Sequence, residues 1–229
     1  MSDSPRHGSE DVEALNDRFA REHDIDDYYA RAGLPIRLIE ARRLAIIERM
    51  VAARPRQRVL EIGCGGGHVL QRFPQADLVG VDVSGVMLDK ARRNLAGYRV
   101  KLHKGEIGAL DFADQSFDKI ICTEVLEHVA EPEPLLEHAR RLLRPGGRAV
   151  VTLPNDRLIE QLKNVMICTG LTRLPPLRRI AWGGDDYHVH VWSVPQMRQL
   201  LSRSFVIVDE AFAPARLLPV RCCFACSPR

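Results

Sequence analysis

The chain has 229 residues, 45% of them hydrophobic and 28% charged, a balance that supports a globular core with an appended part and excludes a disordered or fibrous chain. Lys+Arg 33 against Asp+Glu 30 leave a formal charge of +3, which supplies no strong field for a nucleic-acid or membrane partner. No apolar run approaches the ~18 residues of a membrane span, and residues 1–22 lack the apolar stretch of a secretory signal, so a cytoplasmic location with six reduced cysteines is expected.

In chain order, residues 1–9 read as a frayed terminus and 10–54 as a helical cap. Within the cap, Ile36, Ile39, Leu44, Ile47 and Val51 recur at helical spacing, interrupted near its start by Gly33 and Pro35. After Pro55 short apolar runs alternate with polar helical stretches, the pattern of strands and helices around a parallel sheet. Strands are predicted over 59–62, 78–83, 99–103, 117–122, 148–153, 205–212 and 221–226, with helices over 86–95 and 134–143. Arg144-Pro145-Gly146-Gly147 reads as the turn from the second helix into a strand. The last two strands have no helix between them and are expected to form an antiparallel hairpin at one sheet edge. Residues 55–154 and 193–229 thus form the core, and 155–192 an insertion too long for an ordinary connection that is expected to cover the site.

Directly after the first strand stands Glu61-Ile62-Gly63-Cys64-Gly65-Gly66-Gly67, a turn at which the backbone must approach a ligand closely. A dinucleotide fingerprint requires glycine three residues after Gly65, where His68 stands, and a Walker loop requires Gly-Lys-Ser/Thr, which does not follow. The alternating Gly63, Gly65 and Gly67 after an acid resemble the first motif of class I S-adenosylmethionine-dependent methyltransferases, near the ubiquinone-biosynthesis O-methyltransferases and other small-molecule enzymes. Val79-Gly80-Val81-Asp82-Val83-Ser84, Lys104-Gly105-Glu106-Ile107, the run from Phe117 to Val129 and Leu143-Arg144-Pro145-Gly146-Gly147-Arg148 are similar to later motifs of that family, in the same order.

The resemblance implies a Rossmann-like α/β fold with a seven-stranded, mostly parallel sheet, an antiparallel edge strand and an N-terminal helical cap. It implies S-adenosylmethionine as cofactor and S-adenosylhomocysteine as product, held by Arg37, Glu61, Gly63, Cys64, Gly65, Asp82, Val83, Glu106, Ile107 and Thr123. Asp82 is expected on the ribose hydroxyls, since one carboxylate accepts two hydrogen bonds at once, and it also suits the N-cap of the helix beginning near Ser84. Glu106 and Ile107 are expected at the adenine, and Arg37 at the cofactor carboxylate.

Methyl transfer from a sulfonium needs alignment more than catalytic groups, but a hydroxyl acceptor also needs a base, for which His128 and His188 are the candidates. Glu124, Glu127 and His128 stand at i, i+3 and i+4, and on a helix would share a face. In relatives acting on ubiquinone precursors and on small RNAs a similar run binds a divalent cation, so Glu124, Glu127, His128 and His188 form an alternative metal set, while the preferred reading has no metal. His188 and His190 alternate with valines and would point the same way on an extended segment.

Tyr28, Tyr29, Trp182, Tyr187 and Trp192 are candidates to close over a flat acceptor, and Lys163, Arg173, Arg178 and Arg179 make the insertion basic. Cys222, Cys223 and Cys226 read as buried strand residues rather than zinc ligands. The expected reaction is methyl transfer to a small molecule, and the resemblance implies oxygen as the acceptor atom. N- or C-methylation, RNA 2′-O-methylation and a non-catalytic cofactor-binding subunit are the alternatives.

Overall fold

The structure is a computed structural model that describes Asp17 and residues 33–171 and 188–229. The expected helix from Glu10, Tyr28, Tyr29, Trp182, Tyr187, Arg173, Arg178 and Arg179 lie outside the described residues. Among the described residues no helix is long and apolar enough to cross a membrane.

The first described helix, α1 (Leu34–Val51), begins where Gly33 supplies an extended N-cap and Pro35 sits in the first turn. These two residues therefore open the helix rather than interrupt it, because proline fits a helix start, where its missing N–H has no intrahelical partner. Then follow β1 (Arg58–Ile62), β2 (Asp77–Asp82), α2 (Gly85–Asn94), β3 (Val100–Lys104), β4 (Phe117–Thr123) and α3 (Pro132–Leu142). The remaining elements are β5 (Leu143–Pro154), α4 (Asp156–Cys168), α5 (Val194–Ser204), β6 (Phe205–Ala215) and β7 (Leu218–Pro228). All seven predicted strands are present.

The sheet order is β3-β2-β1-β4-β5-β7-β6, with β1 to β5 parallel and β7 antiparallel to both β5 and β6. The closing hairpin lies at the sheet edge as expected, with β7 inside it and β6 outermost. Arg144-Pro145-Gly146-Gly147 is an exposed irregularity within β5 rather than a turn before it: Leu143 pairs with Phe117, and regular pairing resumes at Arg148 with Lys119. The passage from β1 to β2 contains only the 3-10 turn Leu70–Arg72 in place of a full crossover helix.

A parallel sheet must be covered on both faces, and alternate strand residues do this. Leu60, Phe224 and Cys226 join α3 and α5 residues such as Leu136 and Leu201 in one core. Val59, Ile121, Cys223 and Ala225 join Ile47 and Met50 of α1 and Leu88 of α2 in the other. Cys223 and Cys226 therefore face opposite sides of the sheet and cannot share a metal.

Because β2 and β4 flank β1 on opposite sides, the chain reverses direction across the sheet at the carboxyl ends of β1 and β4. Such a switch point leaves a crevice between the two following loops. Phe224 is fully buried on β7, so Phe224→Ala should lower unfolding free energy by about 3–5 kcal/mol. Urea denaturation checks this through a lower midpoint at unchanged slope.

Candidate active site

At the end of β1 the chain turns with Gly63 at φ +68° and Gly65 at φ +47°. A Cβ at Gly63 would stand 2.3 Å from Val125 Cγ2, whereas one at Gly65 would meet nothing within 4 Å. Gly63 thus lets the loop after β4 pack beneath the turn, and Gly65 keeps the opposite side open. The Gly63 and Cys64 amides both donate to Val81 O of β2, at 2.8 and 3.0 Å.

Asp82, at the end of β2, clamps this turn. Its Oδ2 accepts from the Gly65 amide at 2.8 Å and its Oδ1 from the Ser84 amide at 2.9 Å. Burial raises the Asp82 pKa, and the two amides oppose that rise without cancelling it. The N-cap of α2 is Ser84, whose hydroxyl accepts from the Met87 amide at 3.2 Å. Asp82 does not cap the helix because both its oxygens are turned to the loops instead.

Glu61 lies in the floor, 1% exposed. The Thr123 hydroxyl donates to its Oε1 at 3.3 Å, while its Oε2 meets no hydrogen-bond partner among the described residues. Burial pushes its carboxyl up to about 8, against the opposing effects of Thr123 and Arg43. The opposite wall comes from α1, and together they enclose a cavity of about 630 Å³ lined by Arg37, Glu40, Glu61, Gly65, Thr123 and Glu124, among others. Of the predicted cofactor residues, Arg37, Glu61, Gly63, Cys64, Gly65 and Thr123 line this cavity. Val83 follows β2, and Glu106 and Ile107 follow β3 beyond Gly105, whose amide donates to Asp82 O at 3.0 Å. Glu106 is exposed and Ile107 buried.

The expected helical face of Glu124, Glu127 and His128 does not form. Glu124 has φ +54°, and only a 3-10 turn over Leu126–His128 follows it. Glu124 consequently turns away: its Oε1 accepts from the Thr152 hydroxyl at 2.9 Å, and its Oε2 lies 3.3 Å from Arg221 Nε. Glu127, His128 and His188 do come together, their ligand atoms all within 4.8 Å of one another. Glu127 is 1% exposed, and neither of its carboxylate oxygens has a hydrogen-bond partner among the described residues. Burial first, and then the Glu124 charge, push its carboxyl well above the usual range.

The His128 and His188 rings meet edge to face at 4.9 Å. His188 Nδ1 also lies 3.1 Å from Asp156 Oδ2 of α4. His190 does not share this direction. Its ring stacks on Trp192 at 5.0 Å and its Nε2 lies 3.1 Å from Ala130 O. The segment is not a strand: the Val189 and His190 amides both donate to Glu127 O, and that local bend removes the alternation. Trp192 packs on the α3 and α5 core, and Lys163 lies on α4, in which no residue is buried.

Sequence reasoning missed Asp156 and the ion pairs of the wall. Glu40 and Arg43 fall on the same helical stripe as Ile36 and Ile47, so charge at apolar spacing was the available signal. Nothing in the β7 pattern singles out Arg221.

The profile of a family described as a methyltransferase domain matches residues 54–187, more than half of the chain. The chain belongs to that family. A ubiquinone biosynthesis O-methyltransferase of Coxiella burnetii is 32% identical over 146 residues, 61% of this chain and 62% of that protein. An uncharacterized 37.1 kDa protein in a Streptomyces fradiae transposon is 38% identical over 130 residues, 53% of this chain and 37% of that one. This methyltransferase-domain chain therefore spans less than two thirds of the length of either relative. Among solved structures, the PH0226 protein of Pyrococcus horikoshii matches with TM-score 0.66 at 20% identity, over 93% of this chain and 99% of that one. The N-methyltransferase NodS of Bradyrhizobium japonicum, solved with S-adenosyl-L-homocysteine, matches with TM-score 0.62 at 17% identity, over 83% and 87%. At these identities the structural likeness establishes the class I fold.

A carboxyl whose folded value rises to about 8 from 4.5 favours folding below the lower value, and the contribution is lost as pH rises through the higher one. Wild-type stability should therefore fall between about pH 5 and 8 and level off above, and Glu61→Gln should remove a share of that fall on the order of a few kcal/mol. Urea midpoints of both proteins across this range check it; equal pH dependence refutes the assignment.

Proposed function

We propose that the protein transfers a methyl group from S-adenosylmethionine to an oxygen of a small molecule and releases S-adenosylhomocysteine. The observation behind this reading is the frame around the cavity: an amide-clamped Asp82, a buried Glu61 with an orphaned oxygen, and Arg37 on the facing helix. Oxygen as the acceptor atom is supported by the relative named a ubiquinone biosynthesis O-methyltransferase.

When bound, the cofactor supplies a methyl group on a positively charged sulfur, an electrophile with a good leaving group. Asp82 accepts from the ribose hydroxyls, and the clamp keeps its oxygens from swinging into solvent. Glu61 meets the cofactor ammonium, which suits an acid whose second oxygen has no protein partner. Arg37 pairs with the cofactor carboxylate, and Val83, Glu106 and Ile107 hold the adenine. His128 or His188 would take the acceptor hydroxyl proton, and Asp156, 3.1 Å from His188 Nδ1, would orient that ring. With a net charge of only +3, a small acceptor suits this reading better than RNA. The proposed location is the cytoplasm.

A second reading of the acceptor side rests on Glu127, both of whose buried oxygens lack hydrogen-bond partners among the described residues. A buried carboxylate with two neighbouring imidazoles fits a hard divalent cation, which would be held by Glu127, His128 and His188 and would supply Lewis-acid polarisation of the acceptor oxygen. Glu124, committed to Thr152 and Arg221, is not in that set.

Calorimetry with S-adenosylhomocysteine tests the cofactor reading: wild type should bind, and Asp82→Ala should bind at least about tenfold more weakly, as for loss of hydrogen bonds to a charged group. No binding by wild type rejects it. Because Glu61 must ionise to meet an ammonium, binding at pH 7 should release a proton, seen as an enthalpy that varies with the ionisation heat of the buffer. Glu61→Gln should abolish that variation. With a catechol acceptor, activity lost in chelator and restored by magnesium would favour the cation reading, and full activity in chelator the histidine base.

A further inference from the structure

We propose that Arg221 is a positioning residue that fastens helix α1 to the loop after β4, so that the two walls of the cavity keep one spacing. This inference deepens the methyltransferase reading and rests on it for the identity of the ligand.

Arg221 lies on β7, paired across the sheet with Pro154 of β5 and Ala213 of β6. A single nitrogen, Nε, stands 3.3 Å from Glu40 Oε1 and 3.3 Å from Glu124 Oε2. Glu40 belongs to α1 and Glu124 to the loop that also supplies Glu127 and His128, and both acids line the cavity. The guanidinium therefore stands between the cofactor wall and the acceptor wall.

Each partner is fixed on its far side as well. Arg43 Nε donates to the second Glu40 oxygen at 2.7 Å, and the Thr152 hydroxyl occupies the second Glu124 oxygen at 2.9 Å. Glu40 is 7% exposed, and although burial pushes its carboxyl up, Arg43 and Arg221 together hold it below the ordinary value. Taking away Arg221 leaves Arg43 alone to offset the burial of Glu40, which favours protonation of that carboxylate or its movement toward water. For Glu40, moving means displacing α1, the element that presents Arg37 to the cavity.

The charge account and a mere packing account differ in what they require at position 221. Arg221→Lys keeps a cation able to donate to two carboxylates at once, whereas Arg221→Met keeps apolar bulk and loses the charge. Two measurements separate them: S-adenosylhomocysteine affinity by calorimetry, and amide hydrogen exchange over residues 34–51 in the ligand-free protein. Arg221→Met should weaken binding about tenfold, in the usual range of coupling between two sites, and should speed exchange in 34–51 by a similar factor. Arg221→Lys should stay within about threefold of wild type in both. Glu40→Gln should reproduce the methionine variant, and the double variant should cost no more than the worse single one, since both remove the same contact.

A methionine variant that matches wild type overturns the proposal. So does a lysine variant as impaired as methionine, or additive effects in the double variant. Should Arg221→Met fail to fold, Glu40→Gln and Arg221→Lys against wild type decide the same question. If wild type binds no S-adenosylhomocysteine, the methyltransferase reading fails, while the exchange comparison still tests Arg221.

Discussion

The Asp82 carboxylate, shared between the amides of Gly65 and Ser84, is the interaction on which the mouth of the sheet depends. It joins the turn after β1 to the start of α2, and so fixes two loops with one side chain. Neutral amides are the right partners here: they stabilise the charged form in a half-buried setting without adding a cation that would repel a positively charged ligand. The Gly63 and Cys64 amides, both held by Val81 O, anchor the same turn from below. With the turn fixed, the open side of Gly65 faces the cavity rather than collapsing into it.

Three buried acids, Glu40 and Glu61 at that cavity and Glu127 in the loop after β4, show how far environment separates chemically identical groups. Glu40, with two arginines against it, is held below its usual range. Among the described residues Glu61 and Glu127 lack a comparable cation in contact, and burial drives both upward. The protein has thus compensated the acid that holds its wall together and left uncompensated the two that face the ends of β1 and β4. That asymmetry favours a cation beside Glu61 and beside Glu127, and it opposes an anion in either place.

Much of this was legible in the sequence. Apolar strands of a sheet covered on both faces are short, continuous and unmistakable against polar helices, and the acid-plus-glycine turn marks where the ligand side must be. The loop after β4 and the segment around His188 were less legible. Reading Glu124, Glu127 and His128 as one helical face assumed a helix where the backbone makes a left-handed step at Glu124 and then a single 3-10 turn. His188 and His190 failed for the same reason, since alternation holds only in a strand and both following amides bend back to Glu127 O. Local spacing predicts side-chain direction only after backbone type is known, and at loops that type is decided by distant contacts such as Val125 beneath Gly63.

The cysteines have a practical consequence. Burial drives the thiols of Cys64 and Cys122 far up and those of Cys222, Cys223 and Cys226 to about 12, which disfavours the reactive thiolate at all five, and Cys122, Cys222, Cys223 and Cys226 lie within the strands of the sheet. Cys168, the exposed one, ends helix α4, on the chain that leads away from Asp156. A maleimide fluorophore therefore attaches at one place without mutagenesis, beside the helix that supports His188 and clear of the glycine turn. Slow labelling of the four strand cysteines then becomes a clock for transient opening of the sheet itself.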